Sequence, residues 1–243
     1  MLLNQITIIM LSLRFRDDTV LEIGVDEAGR GPLWGPLMAA AVIWPPESSW
    51  TDAHRELVPM IQDSKKIAPK KREKICARIQ DLALGYGIGS VSAAEIDTIG
   101  ATRANQLAFR RALEDLYAHK SGLFDGAAKV AVQRRILVDG ILPLNDKKEF
   151  EECETIVDGD AKNMLIAAAS IVAKVTHDKW VIDWCGENVA DAAKYDLLSC
   201  KGYGTAKHRA GILQHGYTEI HRRLYLRKLI PDIIVSRYQI HDE

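Results

Sequence analysis

The chain reads as a mixed α/β layer fold with a helical C-terminal part. Short β-like apolar runs precede and alternate with longer segments of helical periodicity. Three of those β-like runs stop at an acidic residue in a glycine-containing turn: Val25-Asp26-Glu27, Val138-Asp139-Gly140 and Val157-Asp158-Gly159-Asp160. The end of the chain is polar and punctuated by Gly202, Gly204, Gly211 and Gly216, which suits short helices. Residues 21–190 are read as the main body, 191–243 as a helical subdomain packed on it, and 1–20 as a leader or an extra strand. Nothing between these parts resembles a long flexible linker.

The N-terminal run is apolar (Leu2, Leu3, Ile6, Ile8, Ile9, Met10, Leu11, Leu13) but is interrupted by Asn4 and Gln5. It is shorter than the roughly 20 residues a bilayer span needs. It also lacks the basic start and Ala-x-Ala site of a signal peptide. Met10 is an alternative start. Leu21, Ile23 and Val25 then alternate with Glu22 and Gly24, the period of a strand. Met38–Trp44 is a buried strand stopped by Pro45-Pro46. Pro69 suits the first turn of a helix running to about Leu84, with Ile75, Ile79 and Leu82 at helical spacing. Gly85–Val91 is a short glycine-rich strand. A helix over about Thr102–His119 turns Leu107, Ala108, Leu113 and Leu116 inward. Val130–Asp139 and Glu154–Val157 read as strands. Lys162–Trp184 is the longest helical pattern, and its first half, Met164–Val175, is apolar enough to be buried.

With 243 residues and 47% hydrophobic content, the chain can build a sizeable core. A net charge of −1 argues against bulk electrostatic attraction to nucleic acid, though not against a local basic patch. Cys76, Cys153, Cys185 and Cys200 form no C-x-x-C pair, so neither a zinc knuckle nor a disulfide framework is indicated. The expected compartment is reducing: cytoplasmic, or nuclear in a eukaryotic source.

The richest segment is Gly24-Val25-Asp26-Glu27-Ala28-Gly29-Arg30-Gly31-Pro32. Neighbouring strand residues face opposite ways, so Asp26 and Glu27 diverge unless the strand ends there. Gly29 and Gly31 let backbone approach a ligand closely, and Arg30 between them suits an anion. The plain alternative is a tight turn with surface charges, and Asp-Gly turns are common. Taken together, however, three strand ends bring four carboxylates to one sheet edge, where ligands bind in α/β folds. Clustered carboxylates repel one another and favour a hard divalent cation.

These residues resemble ribonuclease HII, the type 2 ribonuclease H family. The nine-residue segment is similar to that family's opening motif, as is Gly35-Pro36 followed by Ala39-Ala40-Ala41-Val42. Asp63-Ser64-Lys65-Lys66 with Lys71-Arg72-Glu73, then Glu95-Ile96-Asp97, Asp139-Gly140, Gly159-Asp160 and Ala167–Val175, follow in the family's order. Gly202-Tyr203-Gly204-Thr205 with His208, then Gly216 and His221-Arg222, complete it, so the resemblance runs from about Glu22 to Leu224.

The resemblance implies a ribonuclease H-like fold: a five-stranded mixed sheet flanked by helices, residues 21–190 forming the catalytic domain. It implies two divalent cations, Mg2+ or Mn2+, on Asp26, Glu27, Asp139 and Asp160, with Asp158 a competitor for the fourth place. It implies substrate contacts from Gly29, Arg30, Gly31, Lys65, Lys66, Ser170 and Tyr203. The Arg30 loop would read the ribose 2′-hydroxyl, and Tyr203 would stack near the RNA–DNA junction. The implied substrates are RNA–DNA hybrids and DNA duplexes containing ribonucleotides, cut 5′ of the ribonucleotide to leave a 3′-hydroxyl and a 5′-phosphate. No membrane partner is expected, and a monomer is.

The chain departs from the family pattern in three places. His177-Asp178 stands where the family usually has Arg-Asp, Thr98-Ile99-Gly100-Ala101 stands where an Asn-Ile pair is typical, and Ile141–Thr155 is acidic and lysine-rich. Type 3 enzymes usually carry Lys in place of Arg30. Competing readings are a catalytically silent hybrid-binding protein, which needs a broken carboxylate set, and a small-molecule phosphohydrolase, which has no use for the Arg30 loop or Tyr203. Ser170 can simply pack, and Lys174 can pair with a carboxylate rather than touch substrate. His208, His215, His221 and Cys200 have no zinc-site spacing. Of the five tryptophans, Trp34 is the one placed beside the glycine loop, where it can stack on a base.

Overall fold

The structure is a computed structural model describing residues 11–124 and 132–231. Residues 1–10 and Val130, considered above as part of the leader and as a strand start, lie outside the described residues. Five strands form one mixed sheet: β1 (Leu21–Ala28), β2 (Leu37–Ile43), β3 (Gly85–Val91), β4 (Arg134–Asp139) and β5 (Glu151–Ile156), in the order β3-β2-β1-β4-β5. β1 pairs antiparallel with β2 and parallel with β4. The helices are α1 (Asp52–Leu57), α2 (Pro69–Leu82), α3 (Ala93–Ile99), α4 (Ala101–His119), α5 (Ser121–Phe124), α6 (Met164–Glu187), α7 (Val189–Lys194), α8 (Leu197–Cys200), α9 (Ala206–His215) and α10 (Arg223–Leu226). This is the mixed five-stranded sheet flanked by helices that the resemblance implies. None of the described helices is long and apolar enough to cross a membrane.

The two-residue period of the strands sorts the core into two layers. Ile23, Val25, Ala39 and Ala41 face α4, where Ala104, Ala108, Ala112 and Leu116 meet them. Ala28, Ala40 and Val42 face α6 and α2 on the other side. Small residues set how closely the helices approach. A Cβ on Gly24 would overlap the backbone of Leu165 and Ile166, so α6 begins directly on β1. Cβ atoms on Gly87 and Gly89 would likewise overlap the α4 backbone. Asn163 starts α6: its side chain accepts from the N–H groups of Leu165 and Ile166.

Three elements differ from expectation. β5 is longer and more polar than the Glu154–Val157 strand. Its sequence, Glu151-Glu152-Cys153-Glu154, lacks a β pattern because the partners come from elsewhere: Arg110 and Tyr117 neutralise buried Glu151. Arg110 also grips Asp146, so the acidic, lysine-rich segment is tied to α4. α3 arises from a capping box that sequence reading passed over, in which Ser92 accepts from the Glu95 N–H and Glu95 accepts from the Ser92 N–H. Residues 11–20 add no strand, only a bridge from Ser12 to Asn163.

A third, smaller core joins the end of α6 to the C-terminal helices around Trp34, Val181, Tyr195, Leu197 and Ile212. Trp34 is fully buried and packs against Trp180 and Trp184, with ring centroids 5.4 and 4.7 Å away. The expectation that Trp34 can stack on a base is therefore corrected: its ring turns away from the glycine loop into this core. All four cysteines are free thiols.

Gly89→Ala should destabilise the protein by about 1–3 kcal/mol, since the helix backbone, not a flexible side chain, occupies the new methyl's space. Urea unfolding measures this, and an unchanged midpoint would show that α4 yields freely.

Candidate active site

β1 outlasts β4. Their paired register ends at Val25–Val138, so the next residues, Asp26 and Asp139, emerge together at the C-terminal end of two parallel strands. The strand does not end at Asp26; it continues to Ala28 beside β2. Asp26 and Glu27 therefore diverge, Asp26 towards α6 and Glu27 towards α4. Each is met by a polar side chain on its own face: Ser170 of α6 hydrogen-bonds Asp26, and Asn105 Nδ2 of α4 lies 3.4 Å from Glu27 Oε2.

Asp160 comes from the short turn after β5. That turn hangs on Asp139, whose Oδ1 accepts from the Gly159 N–H at 2.7 Å. Asp160 is buried, whereas Asp158 is exposed and holds a left-handed backbone, φ +53°. Burial pushes the Asp26 carboxyl well above the ordinary carboxylate value, and the charges of Glu27 and Asp139 push it further. Burial raises Glu27 against the pull of Arg30, and burial plus the charges of Asp139 and Asp63 raises Asp160. The donor set is oxygen only and mutually repulsive, which fits a hard divalent cation. No three His, Cys, Asp or Glu side chains among the described residues form a ready-made cage.

Cationic groups stand at the rim. Lys65 Nζ lies 3.8 Å from Asp160 Oδ2 and is largely exposed. Burial opposes its charge, but Asp160, Asp26, Asp63 and Asp139 outweigh that and raise its pKa. Lys66 instead pairs with Asp63 at 3.6 Å. Arg30 is exposed, its guanidinium 3.7 Å from Glu27 Oε1. The Tyr203 ring borders Gly31, and the residue is 43% exposed. Gly29, at φ +81°, packs so closely on His177 that a Cβ would overlap the imidazole.

Ser170 is not at the rim. It is buried and engaged by Ser64 Oγ at 2.9 Å as well as by Asp26. This places Ser170 beside the Asp26 carboxylate, behind the rim. Lys174 pairs with Asp178 at 2.7 Å. His177 is fully buried and its pKa is lowered by burial, so it cannot stand in for the family's arginine as a phosphate contact. Asp97 accepts from the N–H groups of Arg223 and Leu224, tying the C-terminal part to α3.

Arg222 was quoted in a motif without a role, and the structure supplies one. Its guanidinium is fully buried and donates to three backbone carbonyls: Gly29 at 2.7 Å, Arg30 at 3.0 Å and Gly35 at 2.9 Å. Burial lowers its pKa to about 10, which still leaves it charged at neutral pH. Asn105 was also missed. A polar residue set in the apolar stripe of α4 was the available signal.

The sheet order and the acidic strand ends define the class, a ribonuclease H-like protein. Among solved structures, the ribonuclease H2 from Pyrococcus horikoshii OT3 superposes with a TM-score of 0.62 and 25% identity, covering 87% of this chain and 98% of that one. The family model for ribonuclease HII matches residues 23–228. Ribonuclease HII from Syntrophotalea carbinolica is 40% identical over 206 residues, 83% of each chain. That from Fusobacterium nucleatum subsp. nucleatum is 41% identical over 210 residues, 86% of each. The chain belongs to the ribonuclease HII family and is a ribonuclease H.

In metal-free buffer the contribution of Asp26 to stability should be lost as pH rises above about 4. The unfolded chain releases the Asp26 proton near 3.8, while the folded protein holds it to higher pH, so the unfolded state binds fewer protons in between. Asp26→Asn should reduce that loss with rising pH and melt no lower than wild type at neutral pH. A lower melting temperature for the variant would show that Asp26 stabilises rather than strains the site.

Proposed function

We propose that this ribonuclease H nicks DNA duplexes 5′ of embedded ribonucleotides and also cuts the RNA strand of RNA–DNA hybrids, leaving a 3′-hydroxyl and a 5′-phosphate. The observation that carries this reading is the adjacency of two unlike parts. An acidic cluster able to do phosphodiester chemistry lies beside a glycine-flanked loop with an exposed tyrosine against it. A 2′-hydroxyl is what separates RNA from DNA at one residue. Backbone groups of Gly29, Arg30 and Gly31 are suited to touch it, because glycine admits a sugar to close range.

Asp26, Glu27, Asp139 and Asp160 would hold two divalent cations, Mg2+ or Mn2+, which together supply an activated water and charge neutralisation at the departing 3′-oxygen. The protein's own groups do the rest. Lys65 offers a mobile cation beside Asp160 for a substrate phosphate. Lys66 belongs to the same turn but is held by Asp63, so its contribution is smaller. Arg30 can exchange its long contact with Glu27 for a phosphate oxygen. Ser170 and Asn105 restrain the two diverging carboxylates from opposite faces. The active unit in this reading is a monomer. Cleavage of a duplex carrying a single ribonucleotide tests the proposal directly. A folded protein that cuts hybrids but leaves that duplex intact would refute it.

Asp26→Asn should abolish cleavage; near wild-type turnover with magnesium in the folded variant would displace the site. Asp160→Asn should cost far more activity than Asp158→Asn, because Asp160 is buried beside Asp139 while Asp158 faces solvent. The opposite ranking in kcat would move the fourth carboxylate to Asp158.

Tyr203→Ala should lose most activity on a single embedded ribonucleotide and proportionately less on a continuous hybrid. Stacking on an aromatic ring is worth about 1–3 kcal/mol, and a hybrid offers many registers to replace one lost junction contact. Equal losses on the two substrates would reduce Tyr203 to a packing residue.

A further inference from the structure

The geometry points to a positioning device behind Tyr203: His221 and His208, two buried histidines with their protons fixed in series, set the backbone of the ring that reads the junction. The inference rests on the proposed reading of Tyr203.

The chain of bonds has determined ends. The backbone N–H of Thr218 donates to His221 Nδ1 at 2.9 Å, so that nitrogen carries no proton. A neutral His221 must then be protonated at Nε2, which lies 3.1 Å from His208 Nε2. Two N–H groups cannot face each other, so His208 Nε2 is the acceptor and its proton sits on Nδ1. That Nδ1–H points at the Tyr203 carbonyl, 3.0 Å away. An N–H cannot accept and a carbonyl cannot donate, so only one arrangement of neutral rings satisfies every contact. Both imidazoles are fully buried, between the Tyr195 ring and the thiol of Cys200. Burial lowers both pKa values, that of His221 to about 3, so both rings stay neutral at pH 7.

The turn they hold needs holding. Lys201 and Gly202 take consecutive left-handed conformations, φ +50° and +81°, a costly geometry for the lysine. The Gly202 carbonyl accepts from the Leu33 N–H at 2.8 Å, and a Cβ on Gly202 would meet the Trp34 carbonyl. The strand-like segment that carries His221 pairs back onto Trp34. The residue after His221 is Arg222, which grips the carbonyls of Gly29 and Arg30. One dipeptide thus fastens both reading pieces: His221 sets the Tyr203 turn and Arg222 sets the Arg30 loop. Neither histidine touches substrate, and both act through Tyr203.

The wild-type protein gives the first readout. Two-bond 15N–1H correlation at neutral pH should find His208 as the Nδ1–H tautomer and His221 as the Nε2–H tautomer; an Nε2–H His208 overturns the inference without any variant. The second readout is a double-mutant cycle. His221→Asn keeps an acceptor for the Thr218 N–H but removes the donor to His208. It should leave His208 Nε2 without its donor and the ring less firmly held, and lower kcat/KM on a single embedded ribonucleotide by about tenfold, with a smaller loss on a hybrid. In a Tyr203→Ala background the same change should cost almost nothing. Losses that add in the two backgrounds overturn the coupling. Should His221→Asn not fold, His208→Asn substitutes: it places an amide donor near the Nδ1 position and should retain more junction activity than His208→Ala. Equal activity of those two variants also overturns it. If the tautomers are as assigned but Tyr203→Ala loses equally on both substrates, the junction reading has failed, and the histidines are a structural tie only.

Discussion

Everything at the acidic edge depends on one register. β1 and β4 run parallel and stop pairing at Val25–Val138, so Asp26 and Asp139 leave the sheet side by side. On its other side β1 stays paired with β2 as far as Ala28, which keeps Asp26 and Glu27 extended and divergent. A slip of one residue would exchange the faces of the two carboxylates and strip each of its supporting helix. The same register presents Gly24 to α6, and the absent Cβ lets the helix backbone lie on the strand. That approach brings Ser170 within reach of Asp26 and, through Ser64, ties the Lys65 turn to it. Asp160 follows from Asp139, because the Asp139 carboxylate caps the turn that carries it.

The cost of this arrangement is electrostatic. Asp26 and Glu27 are sunk into the sheet edge with Asp139 and Asp160 nearby, and burial raises the pKa of Asp26, Glu27 and Asp160. Only Lys65 and Arg30 offset them at ion-pair range among the described residues, both from exposed positions with long contacts of 3.8 and 3.7 Å. The reading loop shows the reverse economy. Arg222 is buried with backbone carbonyls and no carboxylate within ion-pair distance among the described residues. With the Gly29 and Arg30 carbonyls drawn inward, the loop's shape is set by a buried charge.

Much of this was legible in the sequence because it is local. Alternation in Leu21–Val25, the run Met38–Trp44 and the helix opening at Pro69 each declare themselves within a few residues, and the structure has strands or helices at each. The strand stop at Asp139 is local too, whereas β1 runs on past Asp26 to Ala28. What stayed hidden depends on distant partners. β5 looks like an acidic loop until Arg110 and Tyr117 reach Glu151. Ser170 sits on a helix of the site, and its bonds to Ser64 and Asp26 are not legible from its neighbours in the chain. Trp34 adjoins the glycine loop in sequence and turns the other way in space. The service of Arg222 to Gly29 spans almost the whole chain, a separation no window of periodicity can bridge.

The two margins of the sheet are finished differently, with a consequence for how copies of the chain behave towards each other. At one margin, β3 presents Gly85, Gly87 and Gly89 on a single face, and α4 lies against it so closely that this strand is stiffened by the helix. At the other, β5 carries Glu151, Glu152 and Glu154, and Arg16 crosses from the N-terminal segment to bind two of them. A strand edge of charged residues held in ion pairs is a poor template for a second copy, because an identical edge brought alongside would have to break or desolvate those pairs. The β5 margin is thereby protected from fibril-like stacking by paired charge, while the β3 margin relies on the helix laid against it.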